Sequence, residues 1–364
     1  MVKRRARGEG TVYYSQTQGL WVAQITLPNG KRKVKYSKTQ KVVKDWLLSQ
    51  REALHKGIWV ENDKITLSGF IDHYMSDVAS HTLRPRTLQS YKSLISNHIK
   101  PELGHIRLIN LRPDHLQNFY SGRMNRGLAP GTVNRMHAII HRCLKLALRW
   151  GLINRNVADL VDAPSPKPKT FQTLSLEQVK IFLGAVRDDP LYALYVLAIS
   201  TGMREGEILG LMWEDIDFFS GTIHVHHSLQ PITGKGLVLM EPKTEKSKRS
   251  IAVPGFTLDA LWDHKEKTGG TEGFVFRTLK NTPIYSRNLT YYFKKHLRDN
   301  HLPNIRFHDL RHTAATLLLS EGVHPKVVQE MLGHARINIT LDIYSHLMPD
   351  IQKEAAEKMN DMLR

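Results

Sequence analysis

The chain of 364 residues has a single cysteine, Cys143, and no long apolar run. One thiol cannot close an internal disulfide or build a cysteine-rich zinc module, so both kinds of small scaffold are excluded. No stretch approaches the ~18 apolar residues of a membrane span, and no signal-peptide core follows the first residues. We therefore expect a soluble, cytoplasmic protein with no membrane partner. Hydrophobic residues make up 41% of the chain, which excludes wholesale disorder.

Acidic residues are also scarce relative to basic ones. The chain has 34 Asp and Glu against 52 Lys and Arg, a net charge of +18 with neutral His. Residues 1–60 carry a net +10, residues 61–165 a net +6 and residues 166–364 only +2. Charge of this size favours a polyanionic partner such as nucleic acid, and the alternative is a basic surface that only aids solubility.

The N-terminal segment predicts a small sheet covered by one helix. Residues 10–36 form three short runs of β-branched and aromatic residues with a Pro-Asn-Gly turn between the last two. Residues 39–55 predict a helix whose apolar stripe covers one sheet face. A sheet of this size fits the DNA major groove, and the alternative is an ordinary solvated face. Alternation predicts that the uncovered face presents Gln24, Thr26, Lys33 and Lys35.

Residues 64–162 predict an all-helical domain, because apolar residues recur every three or four positions and proline opens several helices. In the last helix, which begins near 130, three arginines recur opposite the apolar stripe. No acidic residue occurs between 115 and 158, so this basic stripe is typical of a helix laid against a phosphate backbone. The alternative is a solvated helix face. The three arginines are Arg135, Arg142 and Arg149.

Prolines at positions 164, 166 and 168 predict an extended linker over 163–169. A C-terminal domain from 170 to 364 follows. Four of its segments contain residues that could do chemistry, and each also has an ordinary structural reading as an ion pair, a solvated hairpin or a half-buried aromatic. The residues are Arg204 with Glu207, Lys243 in a cation-rich ribbon, His308 with Arg311 one helical turn later, and His334 with Tyr344.

A metal site is a further reading of one of these segments. His308 and His312 have the i, i+4 spacing of a zinc-binding helix. Asp309 follows His308 where that motif needs Glu, and no third ligand is apparent. We therefore predict no metal.

Taken together, the segments resemble the tyrosine recombinase (phage integrase) family. The shared motifs are S-T-G-M-R-x-x-E over 200–207, H-D-L-R-H-T over 308–313 and L-G-H over 332–334, with a tyrosine ten residues later. The resemblance implies a multidomain α+β fold. Its parts would be a three-stranded sheet plus helix that binds arm-type DNA sites (1–60), an all-α core-binding domain (64–162), and a mainly α catalytic domain with a small β-sheet (170–364).

The resemblance also implies a role for each residue. Tyr344 would be the nucleophile that forms a 3′-phosphotyrosine. Arg204 and Arg311 would neutralise the scissile phosphate, as two forked guanidiniums do well, and Glu207 would orient them. The bond energy kept in the covalent link makes ATP unnecessary, and side chains supply the charge, so the resemblance implies no cofactor.

The remaining residues would move protons. His308 would accept the phenol proton, because tyrosine has a reference pKa of about 10 and needs help to react at neutral pH. Lys243 would protonate the leaving 5′ oxygen, and His334 would donate a hydrogen bond to the phosphate or carry a proton.

The expected function is therefore a site-specific recombinase that integrates and excises a phage or another mobile element. Implied partners are double-stranded DNA with core and arm sites, a homotetramer assembled on that DNA, and a directionality factor or host DNA-bending protein. The tail over 350–364 would dock on a neighbouring subunit or on its own domain through Ile351, Ala355, Met359 and Met362. Two alternatives stay open: a type IB topoisomerase-like enzyme, and a non-catalytic architectural DNA-binding protein.

Overall fold

The computed structural model describes residues 9–27, 30, 32–55, 64–165, 172–241, 249–333, 337, 341, 356–357 and 359–363. The chain divides into two compact units, Met1–Pro168 and Lys169–Arg364. Among the described helices, none is long and apolar enough to cross a membrane. The prediction of a multidomain, mainly helical α+β protein is confirmed.

The first part of unit one is a three-stranded antiparallel sheet packed on a helix. Its elements are β1 (Thr11–Ser15), β2 (Leu20–Thr26), β3 (Arg32–Ser37) and α1 (Gln40–His55). β2 lies in the centre of the sheet. Ala23 and Ile25 of β2 pack against Val43 and Leu47 of α1, and all four side chains are buried. The predicted sheet and its covering helix are confirmed.

The strand register corrects the predicted composition of the open sheet face. Side chains of directly paired residues point to the same face of a sheet. Lys33 pairs with Ile25 and Lys35 with Ala23, so both lysines lie on the side that packs against α1. Grouping them with Gln24 was wrong, because a one-residue change of register moves every side chain of a strand to the other face. The open face carries Tyr13, Gln24, Thr26, Arg32, Val34 and Tyr36.

Residues 64–165 form a helical bundle. Its α-helical segments are α2 (Leu67–His73), α3 (Ser80–Thr82), α4 (Pro85–Leu94), α5 (Lys100–Leu103), α6 (Pro113–Asn125) and α7 (Pro130–Arg149). One-turn π-helical stretches, Tyr74–Ala79 and Ile95–Ile99, join α2 to α3 and α4 to α5. Proline opens α4, α6 and α7, as predicted, because its fixed φ suits the first helical turn.

The two faces of α7 have the predicted character. Its apolar stripe, from Val133 to Ala147, is buried in the bundle core, although Leu148 at the end is exposed. The three arginines Arg135, Arg142 and Arg149 are all exposed. Arg142 donates a hydrogen bond from Nη1 to the hydroxyl of Tyr91 at 3.2 Å. Within residues 64–165, nothing covers the basic stripe, so a partner can reach it.

Unit two is mainly helical with two small sheets. Its helices are α8 (Leu176–Ala185), α9 (Tyr192–Thr201), α10 (Glu205–Leu209), α11 (Gly255–Thr268), α12 (Ser286–Asp299), α13 (Asp309–Ser320) and α14 (Pro325–Leu332). Its strands are β4 (Ile216–Asp217), β5 (Thr222–Val225), β6 (Ser228–Ile232), β7 (Gly236–Met240) and β8 (Arg249–Ala252). β4, β5 and β8 form one antiparallel sheet, and β6 pairs with β7 in the other. The mostly apolar α9 lies in the core of this unit.

Candidate active site

The turn after α9 brings three helices together. α9 ends at Gly202, whose φ of 60° is left-handed and favours glycine. A Cβ at this position would lie 2.3 Å from a methyl group of Leu332 on α14. The Gly202 carbonyl accepts a hydrogen bond of 2.8 Å from Nη1 of Arg311 on α13. This turn therefore fixes the position of Arg204, two residues later, relative to α13 and α14.

Arg204 and Glu207 pair across the first turn of α10. Arg204 donates from Nη1 to Oε1 of Glu207 at 2.6 Å, and its backbone N–H donates to Oε2 at 3.0 Å. Its Nη2 donates to the carbonyl of Gly333 at 2.7 Å, so Arg204 also holds the end of α14. The Arg204 side chain is 37% exposed and can be reached by a ligand, whereas that of Glu207 is 5% exposed.

A second arginine, Arg249 at the start of β8, holds the other side of Glu207. It donates from Nη2 to Oε2 at 2.8 Å and from Nη1 to Oε1 at 3.2 Å. Burial alone would raise the pKa of Glu207, but the hydrogen bonds and charge of Arg249, together with Arg204, lower it to about 2. Glu207 is therefore an anion between two cations and is not available as a proton donor at neutral pH.

The sequence prediction missed Arg249. Strand alternation contained the signal for it. Arg249, Ile251 and Val253 are two residues apart and therefore point to the same face of the strand. The two apolar residues of this set are buried. An arginine on a buried strand face needs an acceptor or a carboxylate to pair with its buried charge.

Arg311 is the most deeply buried member of the arginine cluster, by which we mean Arg204, Arg249 and Arg311. It is 3% exposed. Its Nη1 donates to Gly202, whereas its Nη2 has no hydrogen-bond partner among the described residues. Burial and the charge of Arg204 lower the pKa of Arg311 to about 9, against the opposing effect of Glu207. The group stays charged at neutral pH and presents a donor that needs an acceptor.

His308 lies immediately before α13, one helical turn from Arg311, as predicted. Part of this residue is exposed, yet desolvation of the imidazole and then the nearby Arg311 lower its pKa. His312 packs edge-on against it at 5.5 Å between ring centroids, and burial is the main cause that lowers the pKa of His312 to about 4. His308 is therefore neutral at pH 7 and can accept a proton.

The site thus brings together four of the seven predicted catalytic residues: Arg204, Glu207, His308 and Arg311. The other three, Lys243, His334 and Tyr344, lie outside the described residues. The chain enters β8 at residue 249 and leaves α14 at residue 333 beside the arginine cluster. Over the described ranges, no group of three or more His, Cys, Asp or Glu side chains could hold a metal ion.

Comparison with known proteins identifies the family of this chain. A model of the phage integrase family matches residues 172–350, and a model of that family's N-terminal SAM-like domain matches residues 66–124. A XerC-like tyrosine recombinase of Caldanaerobacter subterraneus is 29% identical over 92% of this chain and 93% of its own length. The ICEBs1 integrase of Bacillus subtilis is 30% identical over 77% of this chain and 79% of its own.

Solved structures share the fold. An integrase of transposon Tn1549 in complex with circular intermediate DNA has a TM-score of 0.71 and 22% identity, over 81% of this chain and all of that one. A lambda integrase tetramer bound to a Holliday junction has a TM-score of 0.59 and 20% identity, over 89% of this chain and 95% of that one. The chain therefore belongs to the phage integrase family of tyrosine recombinases, enzymes that carry out site-specific DNA recombination for mobile elements.

Proposed function

We propose that this integrase cleaves and rejoins DNA strands through a 3′-phosphotyrosine on Tyr344, with the scissile phosphate bound by Arg204 and Arg311. The observation that carries the proposal is the buried guanidinium of Arg311, whose Nη2 has no partner over the described residues. A buried donor left without an acceptor costs about 1–3 kcal/mol, and more when charged. The three arginines and one carboxylate leave a net charge of +2, which an anion would offset.

The proposed reaction balances without a cofactor. The Tyr344 oxygen attacks phosphorus while the bond to the 5′ oxygen breaks. His308, neutral at pH 7, accepts the phenol proton, and Lys243 gives a proton to the leaving 5′ oxygen. Arg204, Arg311 and His334 stabilise the charge that develops on the non-bridging oxygens. Reversal of these steps on another 5′ hydroxyl rejoins the strand.

Replacement of Tyr344 tests its assignment as the nucleophile directly. The wild-type chain, incubated with a nicked duplex that carries its attachment site, should form a covalent protein–DNA adduct in EDTA and without ATP. Tyr344→Phe should form none, because phenylalanine has no oxygen to attack phosphorus, while its DNA affinity stays unchanged. Denaturing gels measure the adduct. Adduct from Tyr344→Phe would refute the assignment, adduct on any duplex without strand exchange would favour a topoisomerase-like enzyme, and binding without adduct would favour an architectural protein.

The rest of the chain would hold the DNA. We assign core-site binding to the helical domain, over 64–162, through the exposed stripe Arg135, Arg142 and Arg149. We assign arm-site binding to the sheet within 1–60 and the linker role to 163–169. Tethered domains gain affinity from effective concentration. The open sheet face that would enter the major groove combines polar groups with exposed aromatics.

Single substitutions distinguish the two faces of the N-terminal sheet. Gln24→Ala and Arg32→Ala, on the open face, should each weaken binding to an arm-site duplex by roughly ten-fold, because each loses a base or phosphate contact. Lys35→Ala is the matched control, since Lys35 lies on the side packed against α1 and should change affinity less. Fluorescence anisotropy at fixed salt measures the affinities. A larger effect from Lys35→Ala than from the other two would contradict this docking face.

Recombination of two duplexes needs four exchanging strands, so we assign the active form to a homotetramer on DNA. The lambda integrase neighbour is a tetramer bound to a Holliday junction, which supports this assignment. In the tail, Met359 and Met362 are exposed, as expected for a segment that docks on a neighbouring subunit, whereas Ile351 and Ala355 lie outside the described residues. A directionality factor or a host DNA-bending protein would act with the tetramer on DNA in the bacterial cytoplasm.

A further inference from the structure

Arg249 is a buried arginine with no role in the reaction proposed above. Its side chain is 8% exposed. Nη1 and Nη2 donate to the two carboxylate oxygens of Glu207, and Nε donates to the carbonyl of Met331 at 2.9 Å. Glu207 is 42 residues and Met331 82 residues away along the chain. One guanidinium therefore joins β8, α10 and α14.

The position of Arg249 in the chain links these contacts to the segments that contain the proposed catalytic residues. It is the first residue of β8 and follows the 242–248 segment, which contains the proposed general acid Lys243. On its other side it packs on Gly333, where an added Cβ would lie 3.1 Å from Cδ and Nη1 of Arg249. His334 comes next in the chain. Arg249 thus lies where two segments with proposed catalytic residues join the arginine cluster.

We propose, on the basis of the recombinase mechanism above, that Arg249 is a positioning residue for strand cleavage. By holding Glu207 it orients Arg204, and by holding Met331 it fixes the end of α14 relative to β8. Arg204 then meets the phosphate in one orientation, and the described chain ends at residues 249 and 333, which lead to Lys243 and His334, are held in place. An arginine is required because its planar guanidinium reaches a carboxylate and a carbonyl at once, which the single ammonium of lysine cannot do in the same geometry.

A purely structural ion pair would stabilise the fold without affecting the reaction. The bundle offers a matched control of that kind. Arg123 has a side chain 10% exposed and pairs with Glu102 at 2.8 Å. It also donates to the carbonyl of His98 at 3.1 Å. Arg123 and Arg249 thus make similar buried contacts, and of the two only Arg249 belongs to the arginine cluster.

The test compares Arg249→Lys, Arg249→Met and Arg123→Met with wild type in single-turnover adduct formation at saturating nicked duplex, from pH 5 to 9. Both Arg249 variants should bind the duplex with wild-type affinity and form adduct about 100-fold more slowly, as when a preorganised contact is lost. In Arg249→Met the rate of adduct formation should begin to fall at a higher pH on the acidic side of its pH profile. The reason is that Glu207 loses the cation that most lowers its pKa. Arg249→Lys keeps a charge and should shift the pH of this fall less.

Arg123→Met should lower the thermal midpoint and leave the pH profile unchanged. Arg249 variants within about three-fold of wild type would refute the positioning role. A loss that is equal at every pH and follows the folded fraction, as in Arg123→Met, would also refute it. Absence of adduct from the wild-type chain would instead refute the recombinase mechanism, and this inference with it. The two failures are thus distinguishable.

Discussion

Arg311→Lys should slow adduct formation by about 10²–10³-fold, the usual cost of removing one preorganised donor from a site that stabilises a developing anion. Arg311 uses Nη1 to hold Gly202 and has Nη2 left for a ligand. A lysine has one ammonium, so it can hold the turn or contact the phosphate but cannot do both in this geometry. The substitution keeps a cation, and the loss would therefore measure geometry more than charge.

The pH dependence of this variant gives a second, independent readout. Burial lowers the pKa of a lysine because it disfavours the charged ammonium. The position is 3% exposed, so residual activity of Arg311→Lys should fall as the pH rises through the lowered pKa of the new lysine. Arg277→Lys is the control, since half-buried Arg277 also donates to a backbone carbonyl, that of Thr268 at 3.2 Å, away from the arginine cluster. Cleavage by Arg311→Lys within about ten-fold of wild type would contradict phosphate binding by Arg311.

Glu207→Gln should reduce both stability and cleavage. The substitution leaves Arg204 and Arg249 without the carboxylate that accepts from both. Breaking a buried ion pair by removing one partner typically costs about 3–5 kcal/mol. We therefore expect a loss of this order in the free energy of unfolding, measured with denaturant at pH 7. The cleavage rate should fall as well, because Arg204 loses the contact that orients it.

The pH dependence of that loss has a definite sign. The folded-state pKa of Glu207 is about 2, below its unfolded value of about 4.3. Its contribution to stability is therefore complete above that unfolded pKa and disappears as the pH falls through about 2. The difference in unfolding free energy between wild type and Glu207→Gln should shrink as the pH falls below about 4.3. A difference that is constant from pH 7 to pH 3 would contradict the ion-pair account.

Local features of the site could be predicted from the sequence. His308 and Arg311 are one helical turn apart, and Arg204 begins the helix that contains Glu207. Residues one turn apart on a helix lie on the same face because of helix geometry alone, so their spacing in the sequence predicts that they are neighbours. The apolar stripe of α7 was predictable for the same reason.

Contacts between distant segments could not be predicted in this way. Whether Lys35 lies on the covered or the open sheet face depends on its pairing with Ala23, which the pattern of one strand does not determine. Arg249 meets Glu207 only because β8 and α10 are adjacent in the fold. The roles of Lys243, His334 and Tyr344 depend on the same kind of long-range placement, so they stay predictions.

The most direct test identifies the residue that becomes covalently linked to DNA. The adduct would be formed on a nicked duplex in EDTA, digested with nuclease and trypsin, and analysed by mass spectrometry. Complete tryptic cleavage yields the peptide of residues 337–353, in which Tyr344 is the only tyrosine. Our account predicts a nucleotidyl or phosphoryl group on Tyr344 in this peptide. Attachment to any other residue, or cleavage of the attachment site with no covalent adduct, would contradict it.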